Sequence, residues 1–234
     1  MRLAIIVLAQ FCCTSVWFAG NSVMTDLSEI FVLPATAVGS LTSAVQFGFI
    51  CGTLVFAVLA VADRFPPARV FFCAAVAAAF CNVFAIWEGN TFWTLLAGRF
   101  GTGFWLAGIY PVGMKIAADY YLRGLGKSLG FLVGALVLGT AFPHLLKGVG
   151  GELPWRGILW FTSAIAATGG ALMLLFVPNG PYRKVGTPPK LTAFVRVFRH
   201  QPFRAAAFGY FGHMWELYAF WAFLPLLLAA YGAG

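Results

Sequence analysis

The sequence predicts an all-α protein that crosses a lipid bilayer about seven times, and three observations predict it. Hydrophobic residues fill 61% of the 234 positions and charged residues only 9%, against about one-quarter charged in soluble domains. Apolar runs of bilayer-crossing length recur along the whole chain. Lysine and arginine collect in alternate connections between those runs. So few charges could not cover the surface of a soluble protein of this size, so lipid must solvate much of it.

The runs fall at about 3–25, 38–62, 70–87, 91–114, 128–146, 157–178 and 205–231, here called spans one to seven. Five carry no charge, and spans four and seven are interrupted by one ionisable residue or a close pair. Each reaches or approaches the roughly 20 residues a helix needs to cross a hydrocarbon core of ~30 Å. Only helices and closed barrels satisfy every backbone group in lipid. Barrel strands would alternate apolar and polar residues, whereas these runs are apolar all round. The first run follows Met1-Arg2 directly but is longer than a signal-peptide core and is followed by further spans, so it reads as a retained helix.

With the amino terminus inside, Arg2, Arg64, Arg69, Lys115, Arg123, Lys127, Arg183, Lys184, Lys190, Arg196, Arg199 and Arg204 all face the cytoplasm. Only Lys147 and Arg156 lie in outer loops, and Arg99 sits within span four. That bias follows the positive-inside rule and predicts an amino terminus in the cytoplasm; the expected location is the plasma (inner) membrane. The net charge of +8 therefore reports topology and not a nucleic-acid partner. The five cysteines (Cys12, Cys13, Cys51, Cys73 and Cys81) fall inside spans with no CxxC and no histidine at ligand spacing, and read as small packing residues. No metal and no cofactor is expected.

The stretch at about 179–202 is the longest connection and carries Pro181, Pro188, Pro189 and five basic residues, the mark of a boundary between two bundles. The expected organisation is a six-helix bundle at 1–178, a basic cytoplasmic linker at 179–202, and the first helix of a second bundle at 203–234. The chain stops just after span seven. The expectation is therefore a truncated carrier whose second bundle is missing and which does not transport by itself. A faint internal echo, Trp17 in span one and Trp215 in span seven, fits two repeated halves.

Three stretches then resemble the major facilitator superfamily. Ala62-Asp63-Arg64-Phe65-Pro66-Pro67-Ala68-Arg69 resembles the family's signature loop between spans two and three. Asp63, Arg64 and Arg69 match it, while Leu59 and Pro66 stand where the family has glycine. Arg99 followed by Gly103 resembles the fourth-helix motif. Gly130-Phe131-Leu132-Val133-Gly134-Ala135 through Gly139 resembles the glycine-rich fifth-helix motif, with Ala135 replacing the usual proline. The resemblance covers the whole chain as helices one to seven of twelve. It implies a rocking two-bundle transporter of a small solute, with a cavity lined largely by helices one, four, seven and ten, and a gating role for Asp63, Arg64 and Arg69.

Among the candidate site residues, Arg99 stands out, since a charge at mid-span costs about 3 kcal/mol on insertion scales and usually lines a pathway. It lies about 24 Å along the helix from Lys115 at 1.5 Å per residue, too far to pair with Asp63. It offers a positive charge to an anionic solute, or a clamp on neighbouring carbonyls. Glu216 and His213 are three residues apart, share a face of span seven, and suit a proton-coupled cycle or simply bond one another. Gln10, Thr14, Trp17 and Asn21 form one helical stripe which, with Gln46 and Tyr110, could contact solute or only bond between helices. Gly48 and Gly52, and Gly130 and Gly134, have the spacing of close helix packing. There is no GxSxG, HExxH, P-loop or carboxylate cluster, so an enzyme is disfavoured. The rival readings are a truncated, non-transporting fragment and a seven-helix receptor-like or interaction protein. Against a retinal protein, span seven contains no lysine.

Overall fold

The computed structural model describes residues 2–149, 153–183 and 196–232, and the chain divides into two compact units, Met1–Thr187 and Pro188–Gly234. Among the described residues the regular structure is entirely helical. Half of the basic linker expected at 179–202 falls at 184–195, outside the described residues.

In the first unit, spans two, three, five and six are single helices: α4 (Ala37–Val58), α6 (Pro67–Phe84), α9 (Leu125–Val149) and α10 (Trp155–Phe176). Each is long and apolar enough to cross a membrane. Local chemistry sets their ends. Pro67 opens α6 in its first turn, where its missing N–H costs nothing. Ala60 closes the turn after α4 in the left-handed region at φ 50°, and the one-turn helix α5 (Val61–Arg64) follows it. Gly124, at φ 74°, makes the turn before α9.

Spans one and four are not single helices, and this corrects the uninterrupted runs expected from hydropathy. Span one is built of α1 (Arg2–Thr14), α2 (Ala19–Ser22) and α3 (Met24–Ile30), interrupted at Ser15–Phe18. Span four is built of α7 (Phe92–Leu106) and α8 (Tyr110–Tyr120), interrupted at Ala107–Ile109. Thr91 starts α7 with a capping box, its side chain accepting from Thr94 N while the Thr94 hydroxyl accepts from Thr91 N.

In the first unit α4 packs on α7, α6 on α7 and α10, and α1 on α9 and α10. With lipid on the outside, no hydrophobic force pulls helices together, so close backbone approach must do it. A Cβ on Gly48 would lie 2.1 Å from Phe100 O, and one on Gly103 would lie 1.8 Å from Val45 O. Those two glycines, with Gly52, let α4 and α7 meet backbone to backbone. The expected pair Gly130 and Gly134 does not behave so: in the first unit nothing lies near either position. The close approach in α9 is at Gly139, where a Cβ would lie 2.2 Å from Thr14 Oγ1 and 2.6 Å from Phe11 O. Large apolar side chains such as Phe47, Leu54, Phe80, Leu138, Phe161 and Leu175 are exposed on the outside of this unit, as lipid-facing residues are.

The second unit contains α11 (Gln201–Gly232), a single 32-residue helix that carries span seven.

Candidate functional site

The interruption of span four has a local cause. Pro111 sits in the first turn of α8; it has no N–H to give, and its ring would clash with the carbonyl four residues back. The chain tightens instead, with Gly108 N donating to Trp105 O (2.9 Å) and Ile109 N to Leu106 O (3.0 Å), the short-range pattern of a 3₁₀ turn. Gly108 then lies hard against span three, where a Cβ would meet Ala74 Cβ at 2.6 Å.

Span one has neither proline nor glycine at its interruption. What holds it open comes from span four. Arg99 Nη1 donates to Val16 O (3.4 Å) and Nη2 to Trp17 O (2.5 Å), carbonyls that leave the helical ladder where the chain turns. Nη2 also reaches Asn21 Oδ1 (3.3 Å), whose Nδ2 donates to Thr42 Oγ1 (2.6 Å) on α4. Gly20 leaves room for this, since a Cβ there would lie 3.2 Å from Arg99 Cζ. The guanidinium is thus a clamp across spans one, two and four. It is 5% exposed, and among the described residues no carboxylate pairs with it.

A second polar knot lies on the other flank of span one. Asn82 Nδ2, on α6, faces Leu159 O (3.3 Å), Thr162 Oγ1 (3.2 Å) and Ser163 Oγ (2.9 Å) on α10. Ser15 Oγ, within the interruption, donates to Cys12 O (2.7 Å) and approaches Thr162 O (3.4 Å). Sequence reasoning missed Asn82, although an asparagine inside an apolar span is a signal worth following.

At the end of the unit that carries Arg2, Asp63 pairs with Lys115 Nζ at 3.0 Å, and Lys115 also meets Asp119 one turn further along α8 at 3.5 Å. Asp63 thus has its partner at the far end of span four, and Arg99 has another role, as their separation along the helix required. Arg64 and Arg69 of the same loop are exposed. The segment after α10 folds back over this cluster. Arg183 Nη2 donates to Phe65 O (3.0 Å) and Asp63 O (3.3 Å), Tyr182 N donates to Asp119 O (3.1 Å), and the Tyr120 hydroxyl donates to Pro178 O. Lys115, Asp119 and Arg183 were not singled out from sequence. The i,i+4 spacing of Lys115 and Asp119 was legible, whereas the return of Arg183 was not.

The stripe Gln10, Thr14, Trp17 and Asn21 does not form one face, because the interruption divides it. Gln10 is fully buried against Gly113 of α8, and neither atom of its amide has a hydrogen-bond partner among the described residues. Thr14 Oγ1 bonds back to Gln10 O (2.9 Å), and the Trp17 ring packs on Phe49 with centroids 4.8 Å apart. Asn21, Gln46 and Tyr110 are half-buried. In the second unit, His213 and Glu216 are both exposed on α11, and no hydrogen bond joins them among the described residues.

A helical membrane protein whose first and fourth spans are both interrupted, and are clamped to each other by a buried arginine, belongs to the class of polytopic carriers in which unwound backbone is tolerated because protein encloses it. The chain matches the family model of the Major Facilitator Superfamily over residues 6–234 and belongs to that family. No curated protein matches it. As a member of a transporter family, it is an integral membrane protein with small-molecule transport as its class of function.

Proposed function

We propose that the chain serves a secondary active transporter that moves a small anionic solute by alternating access, coupled to protons. The observation that carries the reading is Arg99, a cation in the interior of the first unit for which no described residue supplies a counter-charge. An unpaired charge in a medium of low polarity acts at long range, so a negatively charged solute entering beside spans one and four lowers the energy of the whole arrangement. In this reading Arg99 attracts the solute through its field and shapes the entry by holding span one open. Asn21, Gln46 and Tyr110, the half-buried members of the candidate set, are the groups placed to meet it, while Gln10, Thr14 and Trp17 support them from within.

Glu216 is the proposed titrating group, with His213 one turn before it. Asp63, Arg64 and Arg69 form the proposed gating loop, held by Lys115. The amino terminus and that loop face the cytoplasm, on the lysine and arginine bias, and the membrane is the plasma (inner) membrane. The first six spans make one bundle, the basic linker joins it to the next, and span seven opens the second.

The test uses the full-length carrier in proteoliposomes. Under an imposed proton gradient an anionic solute accumulates, whereas neutral and cationic analogues of the same size do not. Glu216→Gln abolishes uphill accumulation but leaves solute exchange across the membrane in place. Normal proton-driven uptake by Glu216→Gln removes the proton role, and equal uptake of neutral analogues removes the anion reading.

A further inference from the structure

A small interior cavity lies between Arg99 and Asn82, lined also by Gly20, Leu41, Cys81 and Gly98, and its size is that of a single water. Two of the residues that line it, Arg99 and Asn82, each carry a hydrogen-bonding group without a partner among the described residues. Arg99 Nε–H is buried and has no partner among the described residues, while Nη1 and Nη2 of the same guanidinium are engaged at span one. Asn82 uses only its Nδ2, which faces three acceptors on α10, and its Oδ1 takes no donor among the described residues. A buried arginine donor left bare costs about as much as a lost charged hydrogen bond, and native interiors rarely leave one so.

We propose that this cavity binds one structural water, which accepts from Arg99 Nε–H and donates to Asn82 Oδ1. A water is the ligand whose chemistry fits, because the two groups are of opposite kind. A halide could accept from Nε–H but would face the Asn82 carbonyl oxygen lone pair to lone pair. An apolar filler would leave both groups bare. The water joins the clamp at Arg99 to the knot at Asn82, Thr162, Ser163 and Ser15. Both flanks of the span-one interruption then belong to one hydrogen-bonded network reaching spans one, two, three, four and six. The inference is independent of whether an anion ever meets Arg99.

The experiment is hydroxyl-radical labelling of the purified chain by a synchrotron pulse, with ¹⁸O water supplied shortly before exposure. A bound water generates radicals in place and marks the side chains around it. Met24 and Leu41 should label several-fold faster than Met173 and Leu132, residues of the same two types that are also buried but do not line the cavity. Asn82→Leu, which removes the acceptor and fills the space, should bring Met24 and Leu41 down to the rate of those controls. Gly98→Ala is the second variant. Its added methyl meets the Phe84 ring at 3.4 Å and Cys81 O at 3.5 Å, ordinary contact distances, so the fold tolerates it while the cavity narrows. Reduced labelling in Gly98→Ala supports the water even where Asn82→Leu does not fold. Labelling of Met24 and Leu41 at the control rate in the unaltered chain overturns the proposal, as does labelling that both variants leave unchanged.

Discussion

Spans one and four are interrupted at matching places, yet for opposite reasons. In span four the cause is carried by the segment itself: Pro111 withholds an N–H, and the three residues before it tighten into a short turn. In span one nothing local compels a break. Ser15-Val16-Trp17-Phe18 is β-branched and aromatic in part, but such residues continue helices readily in apolar surroundings. Its carbonyls at Val16 and Trp17 leave the ladder because Arg99, from 82 and 83 residues away in sequence, offers stronger charged donors. The lesson is directional. One interruption would survive in an isolated peptide, whereas the other exists only while spans one and four are packed together.

The sharpest way to break this contrast is Arg99→Leu. It leaves two buried carbonyls without their donors, and each such group costs about 1–3 kcal/mol. Folded yield and thermal stability in detergent should fall, and what remains folded should straighten span one. Spin labels at Ala4 and Glu29, both exposed, would report this on a cysteine-free background. Their separation should grow toward the ~38 Å of a continuous helix. An unchanged distance would mean that span one is bent by its own residues.

Pro111→Ala is the mirror test, with a smaller expected effect. It restores the missing N–H, yet Gly108 remains packed on Ala74 and Arg99 remains clamped to span one. Thermal stability should move by about 1 kcal/mol or less, in either direction, while span four gains helical amide protection at Ala107–Pro111. A loss as large as that of Arg99→Leu would show that the two interruptions are one cooperative feature.

Asn21→Ala removes only the relay from Arg99 to Thr42, a loss of about 1 kcal/mol that a denaturation midpoint would detect. The expected result is a lowered midpoint with the span-one distance unchanged, since Val16 and Trp17 keep their donors.

The smallest effect, and the one of opposite sign, is expected at Ala60→Gly. Ala60 holds a left-handed conformation at φ 50°, which costs an L-residue about 1 kcal/mol that glycine does not incur. The variant should be slightly more stable, by less than about 1 kcal/mol once the extra freedom of the unfolded chain is counted. It sharpens the comparison because it corrects a local strain next to the Asp63 loop without touching either interruption.

Composition and hydropathy determined the class of fold, because the cost of exposing backbone and charge to lipid leaves a chain with so few charges only the choice of apolar helices. They located the four helices long and apolar enough to cross a membrane, at spans two, three, five and six, and they marked Arg99 as a residue with a special task, since its charge is expensive wherever it sits in a span. Pro111 stood in plain sight as the cause of the span-four interruption, although hydropathy averaged over it. Gly48 and Gly52 were legible from their spacing, whereas Gly139 took the role expected of Gly130 and Gly134. Spacing names a face of a helix but not which neighbour that face meets. The tertiary structure alone decided what Arg99 holds, that Asn82 gathers Thr162 and Ser163, and that Arg183 returns to the Asp63 loop. These are hydrogen bonds between residues some 80 to 120 positions apart. No periodicity within a segment encodes such a pairing; it arises from which helices lie side by side.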